Sequence, residues 1–411
     1  MMQRQVVIVG GGPAGLAAAL RLRRLGVQDI LILEREAQLG GILRQCIHDG
    51  FGLTRFGESL SGPEYAQRFI DDVRKEKIEY ITECTVLDIT GERVVTAASR
   101  SKGLLQIKAG AVLLTMGCRE RTRGALTIPG TRPAGIYNAG VAQSYINLQN
   151  IMVGKEVVIL GSGDIGMIMA RRLTLEGAHV KGVYEVQPYP SGLPRNIEQC
   201  LNDYDIPLHL SHTIVDIRGR QRLSSVVVAQ CDEQFAPIAG TEQEIPCDTL
   251  ILSVGLIPEN ELSLAAGVTL DARTKGAWVD ENYQTNVPGV FAAGNVLHVH
   301  DLVDFVSLEA EALAVGAAEF LQKGSLPACT LQIKADAAVG HVIPQFVSGK
   351  RDFTLSLRVR RPMQNCAVVV RQGGREVLRR KLRKALPAEM IQLPVRSNVL
   401  TDDADLEVTV E

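Results

Sequence analysis

The sequence predicts an α/β chain made of two similar strand–turn–helix units followed by a small all-β region. Three observations lead there. A β-branched run, Val6-Val7-Ile8-Val9, enters the turn Gly10-Gly11-Gly12-Pro13-Ala14-Gly15 and then the apolar stretch Leu16-Ala17-Ala18-Ala19-Leu20. Much later, Val157-Val158-Ile159-Leu160 enters Gly161-Ser162-Gly163-Asp164-Ile165-Gly166 in the same way. Beyond Gly324, apolar residues alternate with polar ones, as at Phe353, Leu355, Leu357 and Val359, and again at Leu406, Val408 and Val410.

The first β-branched run reads as a strand buried on both faces, and the glycines turn the chain into a helix opened by Pro13. Gly10 permits the tight turn, Gly12 lets an anionic group approach the backbone, and Gly15 lets helix and strand pack closely, with the helix's free N–H groups facing the anion. Ile30 to Leu33 is the next apolar run. It ends at Glu34, 19 residues after Gly15, where a carboxylate can accept from ribose hydroxyls. Strand, helix and acid at these distances make a dinucleotide fingerprint, where the glycines alone would be no more than a turn.

A glycine-rich segment follows, Leu39 to Gly52, holding Gly40, Gly41, Cys46 and His48. Reactive side chains among glycines are typical of functional loops, although a surface loop with an incidental cysteine fits as well. Pro63 to Lys75 has helical spacing, Ile78 to Ile89 and Arg93 to Ile107 alternate as strands of a meander, and Ala111 to Leu114 is a buried strand ending in Thr115-Met116-Gly117. The second fingerprint has its own helix, Met167 to Glu176, and its own acid. Glu185 closes Val180 to Tyr184, again 19 residues after the last glycine. Equal spacing in both copies predicts two dinucleotide sites, the second closed by Leu250 to Ser253 and Gly255. Gly289 to Asn295 then leads into a helix from about Asp301 to Phe320, whose Ala310, Ala314, Ala317 and Ala318 allow close approach to a sheet or cofactor. Residues 326–411 read as a β-sandwich-like domain.

Composition narrows the function. Apolar residues make up 46% and charged residues 22%, with a net charge of −2; this is ordinary for a soluble globular chain and gives no general reason to expect a polyanionic partner. A single Trp and no interleaving of basic and aromatic residues argue against nucleic-acid binding. No apolar run reaches membrane-spanning length, and the first strand begins too early for a leader, so the expected compartment is the cytoplasm. Eight cysteines are scattered singly without Cys-x-x-Cys, which fits reduced thiols and neither a disulfide framework nor a zinc site. The basic run Arg379-Arg380-Lys381 with Arg383-Lys384 reads as a solvated face or as a docking surface for an acidic partner.

The paired fingerprints, the Thr115 to Gly117 strand end and the late Gly294-Asn295 resemble the pyridine nucleotide-disulfide oxidoreductase superfamily. The resemblance covers residues 4 to about 322. It implies that residues 1–125 and 285–325 form an FAD-binding domain, with an NAD(P)H-binding domain inserted at 126–284. Gly10, Gly12, Pro13, Ala14, Gly15, Glu34, Gly41, Thr115, Gly117, Gly294 and Asn295 would then serve FAD. Asn295 stands where the family usually has Asp, and would face the ribityl chain. Gly161, Gly163, Asp164, Ile165, Gly166, Glu185 and Gly255 would serve NADH, because a carboxylate pairs with a free 2′-hydroxyl and repels a 2′-phosphate. No redox cysteine pair accompanies Cys46.

More narrowly, Gly40 to His48, Arg119-Glu120-Arg121, Ile128 to Pro133 and Asn295 to Asp304 resemble flavoproteins that accompany glycerol-3-phosphate dehydrogenases and, more distantly, alpha subunits of sarcosine, opine and proline oxidising complexes. That implies an oligomer or hetero-complex, with a dehydrogenase-like partner subunit or a small-molecule or protein electron acceptor. Candidate catalytic residues are Cys46, through single-thiol redox chemistry with His48, and His300 or His298, which would help a helix N-terminus to stabilise the anion left by flavin reduction. Helix capping is the competing role for the histidines and packing for the cysteine. His298-x-His300-Asp301 looks like a metal cluster only superficially, and no metal is expected. The competing functions are an amine or opine oxidase subunit with another nucleotide in the second site, and a non-catalytic assembly subunit.

Overall fold

Met2–Val9 is the central strand of the first sheet, flanked by Ile30–Leu33 and Gly103–Leu114, both parallel to it, with Val6 opposite Ile30 and Ala111. Because both faces are covered, Val6 to Val9 are all buried, which is why the run is continuously apolar and not alternating. The computed structural model describes residues 1–401 and 404–411. The sheet runs in the order Glu79–Ile81, Ile30–Leu33, Met2–Val9, Gly103–Leu114, Val94–Ser99, Cys84–Ile89, and Val290–Ala292 adds in parallel to the end of Gly103–Leu114. The antiparallel meander is therefore Cys84–Ile89, Val94–Ser99 and Gly103–Leu114, while Glu79–Ile81 joins the opposite edge.

The Pro13–Arg24 and Val303–Lys323 helices pack side by side. Ala14, Ala17 and Ala18 on one, with Ala310, Ala314 and Ala317 on the other, are buried, and such small side chains let helix backbones come close. Gly62–Lys75 starts in a capping box: Ser61 Oγ accepts from Glu64 N, and the Glu64 carboxylate accepts from Ser61 N.

The chain divides into two units, residues 1–118 with 258–411, and residues 119–257. The second unit repeats the first in miniature. Glu156–Leu160 lies between His179–Glu185 and Thr249–Leu252, all parallel, with Leu208–Leu210 and Ile136–Asn138 at the edges. Its helix, Asp164–Leu175, begins at the turn itself, earlier than the Met167 start expected from the sequence. An antiparallel meander of His212–Gly219, Leu223–Gln230 and Gln243–Pro246 completes it. The boundaries at 125/126 and 284/285 drawn from the sequence shift to 118/119 and 257/258. Ala266, Val268, Ala277 and Val279 belong to the core of the first unit, and Glu261–Ala265 packs on Cys84–Ile89.

Within that unit, residues after 330 form two sheets around one apolar core that includes Leu355, Leu357, Val368 and Val408. The basic strand Arg375–Ala385 lies at the edge of the larger sheet. Arg351 ties these sheets to the Val303–Lys323 helix through two hydrogen bonds to Glu319, at 2.7 and 2.6 Å.

The hydrogen bonds from Arg351 and Lys323 hold the Glu319 carboxyl down at about 2. A depressed carboxylate contributes stability above its unfolded value, about 4.3, and loses that contribution as the pH falls through the folded value. Urea unfolding of Glu319→Gln should show a loss of about 1 kcal/mol at pH 7, with the gap to wild type closing between pH about 4.3 and about 2. A gap that stays constant over that range would contradict this reading of the contact.

Candidate functional site

Helix Pro13–Arg24 begins at Gly12 with no side-chain cap and no acidic residue in its first turn. Its first N–H groups and the positive end of its dipole are left for an external anion. The glycines divide the work. A Cβ at Gly10, where φ is +105°, would lie 2.6 Å from Thr115 O, and one at Gly15 would overlap Gly10 O. At Gly12 the nearest atom to such a Cβ is Gly41 Cα at 3.9 Å, so space stands open above this backbone. A pyrophosphate fits that cradle. Gly41 and Gly12 approach so closely that a Cβ on Gly41 would stand 3.0 Å from Gly12 Cα.

Glu34 is buried beside this turn. Its Oε2 accepts from Gly11 N and its Oε1 from Glu36 N, both at 2.8 Å, which leaves each oxygen room for a ribose hydroxyl. Gly11, given no role in the sequence reading, is needed because a Cβ there would meet Leu39 at 2.5 Å and Glu34 Oε2 at 3.1 Å. Thr115 acts on the protein: its hydroxyl donates to Val9 O at 2.8 Å and lies 3.1 Å from Gly10 O, fastening strand to turn. Gly117, at φ +75°, has open space around it, and its carbonyl accepts from Glu259 N.

Gly294 returns to the same place. A Cβ there would lie 3.1 Å from the Ala14 Cβ, and its N–H donates to Glu309 Oε1 at 2.7 Å. Asn295 is committed to its own loop, its Oδ1 accepting from His300 N at 3.0 Å and its Nδ2 lying 3.6 Å from Cys118 Sγ. His300 stands between Asn295 Oδ1, 3.3 Å from its Nδ1, and Glu309 Oε2, 3.4 Å from its Nε2. His298 Nε2 meets Glu309 Oε2 at 2.6 Å, and its Nδ1 meets His341 Nε2 at 3.3 Å. Burial alone would raise the Glu309 carboxyl, but the two facing imidazoles hold it well below the usual range. Burial pushes His341 down to about 2, and it lowers His298 against the pull of Glu309.

Among the described residues, His298, His300 and Glu309 are a trio with ligand atoms within 4.8 Å of one another. Tetrahedral ligands at about 2.0–2.1 Å from zinc stand roughly 3.3 Å apart. The 2.6 Å contact is therefore a hydrogen bond and not a ligand spacing.

The segment holding Cys46 is fastened to the Val303–Lys323 helix by Asp304, which accepts from Gly52 N at 3.0 Å and Thr54 N at 2.8 Å, and by the Arg55–Glu311 pair. Cys46 Sγ donates to Ile42 O at 3.4 Å, and His48 Nδ1 faces Asp49 O at 3.2 Å. Burial pushes the Cys46 thiol up to about 12. A redox role would need the opposite, a lowered value that favours the thiolate. All eight cysteines are free thiols.

The second loop is built differently. Ser253 takes the place that Thr115 has in the first: its Oγ accepts from Gly166 N at 3.0 Å, and its carbonyl crowds Gly161, where φ is +92°. A Cβ at Gly163 would lie 3.1 Å from Ser253 Oγ, so this turn is tighter than the one at Gly12. Asp164 stands in the first turn of the helix and accepts from Leu193 N at 2.8 Å and Asn196 Nδ2 at 2.7 Å. Ile165 packs against the core, and Gly255 turns at φ +99°. Buried Glu185 is heavily engaged. Its Oε2 accepts from Ser162 N, Ser162 Oγ and Ser191 Oγ at 3.0, 2.6 and 2.8 Å, and its Oε1 from Gln187 N at 3.0 Å. One acceptor direction on Oε1 remains for a ribose hydroxyl.

A family model described as pyridine nucleotide-disulphide oxidoreductase matches residues 4–316. The chain belongs to this family. It is an FAD-dependent oxidoreductase, and the family's cofactors are FAD and NAD(P)H. It is 28% identical over 323 residues to the hydrogen cyanide synthase subunit HcnB of Pseudomonas protegens, a match covering 72% of this chain but only 66% of that one. It is 26% identical over 300 residues to a thioredoxin reductase of Listeria innocua, covering 71% of this chain and 85% of that one. The crystal structure of T. acidophilum thioredoxin reductase superposes with a TM-score of 0.63 at 23% identity, covering 78% of this chain and 99% of that chain, and shows the shared fold. None of these is a glycerol-3-phosphate flavoprotein, so the narrower resemblance gains no support and its substrate is not carried forward. No helix among the described residues is long and apolar enough to cross a membrane.

The glycines allow a direct separation of folding from binding. Gly15→Ala should destabilise the flavin-free protein by about 3 kcal/mol. Gly12→Ala should leave its thermal midpoint unchanged yet weaken FAD at least about tenfold in a fluorescence titration. Equal losses of stability in the two variants would remove Gly12 from the cradle.

Proposed function

We propose that this chain is an NADH-linked flavoprotein that passes a hydride between nicotinamide and FAD, and electrons onward to a partner subunit or a small acceptor. The observation that carries it is the open, uncapped turn at Gly12 beside a Glu34 with free acceptor positions, repeated in form at Gly161 to Gly166. FAD supplies the two-electron chemistry when bound. Residues of this chain hold its pyrophosphate at the N–H groups after Gly12 and its ribose at Glu34. Gly294 approaches the same turn at Ala14, and Asn295 follows it in the chain.

Onward transfer through a cysteine pair has no support here, because no second cysteine stands near Cys46 in the sequence. A partner subunit is favoured by the likeness to HcnB, whose name makes it a subunit, and by the basic edge strand Arg375–Ala385. The free thiols agree with a cytoplasmic setting.

A second reading rests on Glu185. Its Oε2 is filled by three donors of the protein, and Asp164 places a further carboxylate at the helix start. Both features weaken the case for NADH and favour a subunit of an amine-oxidising or related complex that holds another adenine nucleotide there.

An anaerobic titration of the flavin absorbance decides between them. Fast bleaching by NADH, and slower bleaching by NADPH, is the result expected from a carboxylate at the ribose. Equal rates with the two would remove the preference assigned to Glu185. Absence of bleaching, with tight binding of ADP or ATP, would establish the second reading instead.

A further inference from the structure

The edges of the two C-terminal sheets are guarded unequally. On the larger sheet one edge strand, Phe346–Val347, is only two residues long. On the smaller sheet the edge strand Ile391–Val395 carries Pro394, which has no N–H to offer. The other edge of the larger sheet, Arg375–Ala385, runs for 11 residues without a proline, and from Leu378 to Ala385 it keeps one register with Met363–Gln372. Shortness, proline and bulges are the usual guards against strand addition, and this stretch has none of them.

Ala367 exchanges both hydrogen bonds with Glu411, at 2.8 and 3.0 Å, so its N–H and C=O point away from the basic strand. Lys381 lies opposite Ala367, and its own N–H and C=O therefore face the open edge. The two-residue period of a strand repeats this at Arg379 and Arg383. Among the described residues, no other group bonds to the backbone of these three.

Charge selects the occupant. Lys381, Arg383 and Lys384 make no ion pair among the described residues, and Arg380 donates to a carbonyl, Gln392 O, at 2.7 Å. Arg379 meets the carboxylates of Glu376 and Glu411. A second copy of this strand would set like charges face to face, which is destabilising. The edge thus rejects its own kind and accepts an acidic strand. On the face turned toward the smaller sheet, Arg380, Leu382 and Lys384 line a cavity of about 260 Å³ with Phe305, Leu386 and Met390. Met390 N also donates to Asp301 Oδ2 at 3.3 Å, so the cavity adjoins the segment that follows Asn295.

We propose that the free edge of Arg375–Ala385 takes up an acidic extended segment of a partner chain as an added strand, with carboxylates opposite Lys381 and Arg383 and an apolar side chain in the cavity beside Phe305. This rests on the reading that the chain passes electrons to a partner subunit. Main-chain hydrogen bonds supply affinity in such a contact, and the alternating side chains supply specificity.

The probe is a capped peptide alternating Glu and Val, titrated by calorimetry, with a Lys and Val peptide as control. The acidic peptide should bind, more weakly as ionic strength rises, and the basic one should not. Lys381→Gln keeps the N–H and loses the charge, and should weaken binding about threefold. Lys381→Pro loses both and should weaken it about fivefold more. On binding, amide exchange should slow at Arg379, Lys381 and Arg383 but not at Arg380 or Leu382, whose N–H groups are already paired within the sheet. Equal affinity in the two variants, or equal binding of the two peptides, would overturn the proposal, as would no binding of the acidic peptide at low ionic strength. If Lys381→Pro fails to fold, the exchange pattern of the wild type decides. Bleaching of the flavin by NADH reports on the parent reading separately. Bleaching without peptide binding removes only the docking edge, and peptide binding without bleaching removes only the electron transfer.

Discussion

The structure turns on a helix that starts without a cap. The Pro13–Arg24 helix presents its first N–H groups with neither a capping side chain nor an acidic residue in its first turn, although its strand, its acid and its partner helix are all buried. Unpaired N–H groups are costly where water is thin, and an anion both satisfies them and answers the dipole. The surrounding glycines keep that position reachable. Gly10 and Gly15 let strand, turn and helix close on one another, and Gly12 keeps space above the backbone. Thr115 and Gly294 then fix the turn from two later parts of the chain.

The same device appears twice with different chemistry. In the second unit Ser253 replaces Thr115, Asp164 stands in the first turn of the helix, and Ser162 and Ser191 fill one oxygen of the carboxylate that matches Glu34. Two copies of one fold element are therefore tuned apart: the first leaves its donors and acceptors available, and the second satisfies most of them from within. The C-terminal sheets add something neither copy contains. Through His341 and Arg358 they reach the segment from His298 to Asp301 with hydrogen bonds to His298, Val299 and Asp301.

What could be read from the sequence was local. Strand, turn, helix and acid follow each other within about one βαβ unit, so their spacing survives in the linear order, and the roles of Gly10, Gly12 and Gly15 follow from it. The antiparallel patterning after Gly324 was visible for the same reason. Contacts between distant positions were not. His341 has no spacing relation to His298, and Ser253 gave no sign that its hydroxyl would serve Gly166. The boundary at 257/258 was missed because residues 258–284 change partner without any change of composition. The family resemblance placed the chain correctly, while the glycerol-3-phosphate part of it did not extend to the relatives found.

The most direct test of the central claim is the thermal stability of flavin-free protein titrated with FAD, ADP and FMN. An anion cradle with an adjoining ribose site predicts that FAD and ADP both raise the melting temperature. The stabilisation should reach about 2.7 kcal/mol at a hundredfold excess over Kd. FMN, which lacks the adenosine and the pyrophosphate, should do little, and the FAD response should shrink in Gly12→Ala at the same FAD concentration. A melting temperature that does not respond to FAD, or that rises as much with FMN as with FAD, would contradict the account.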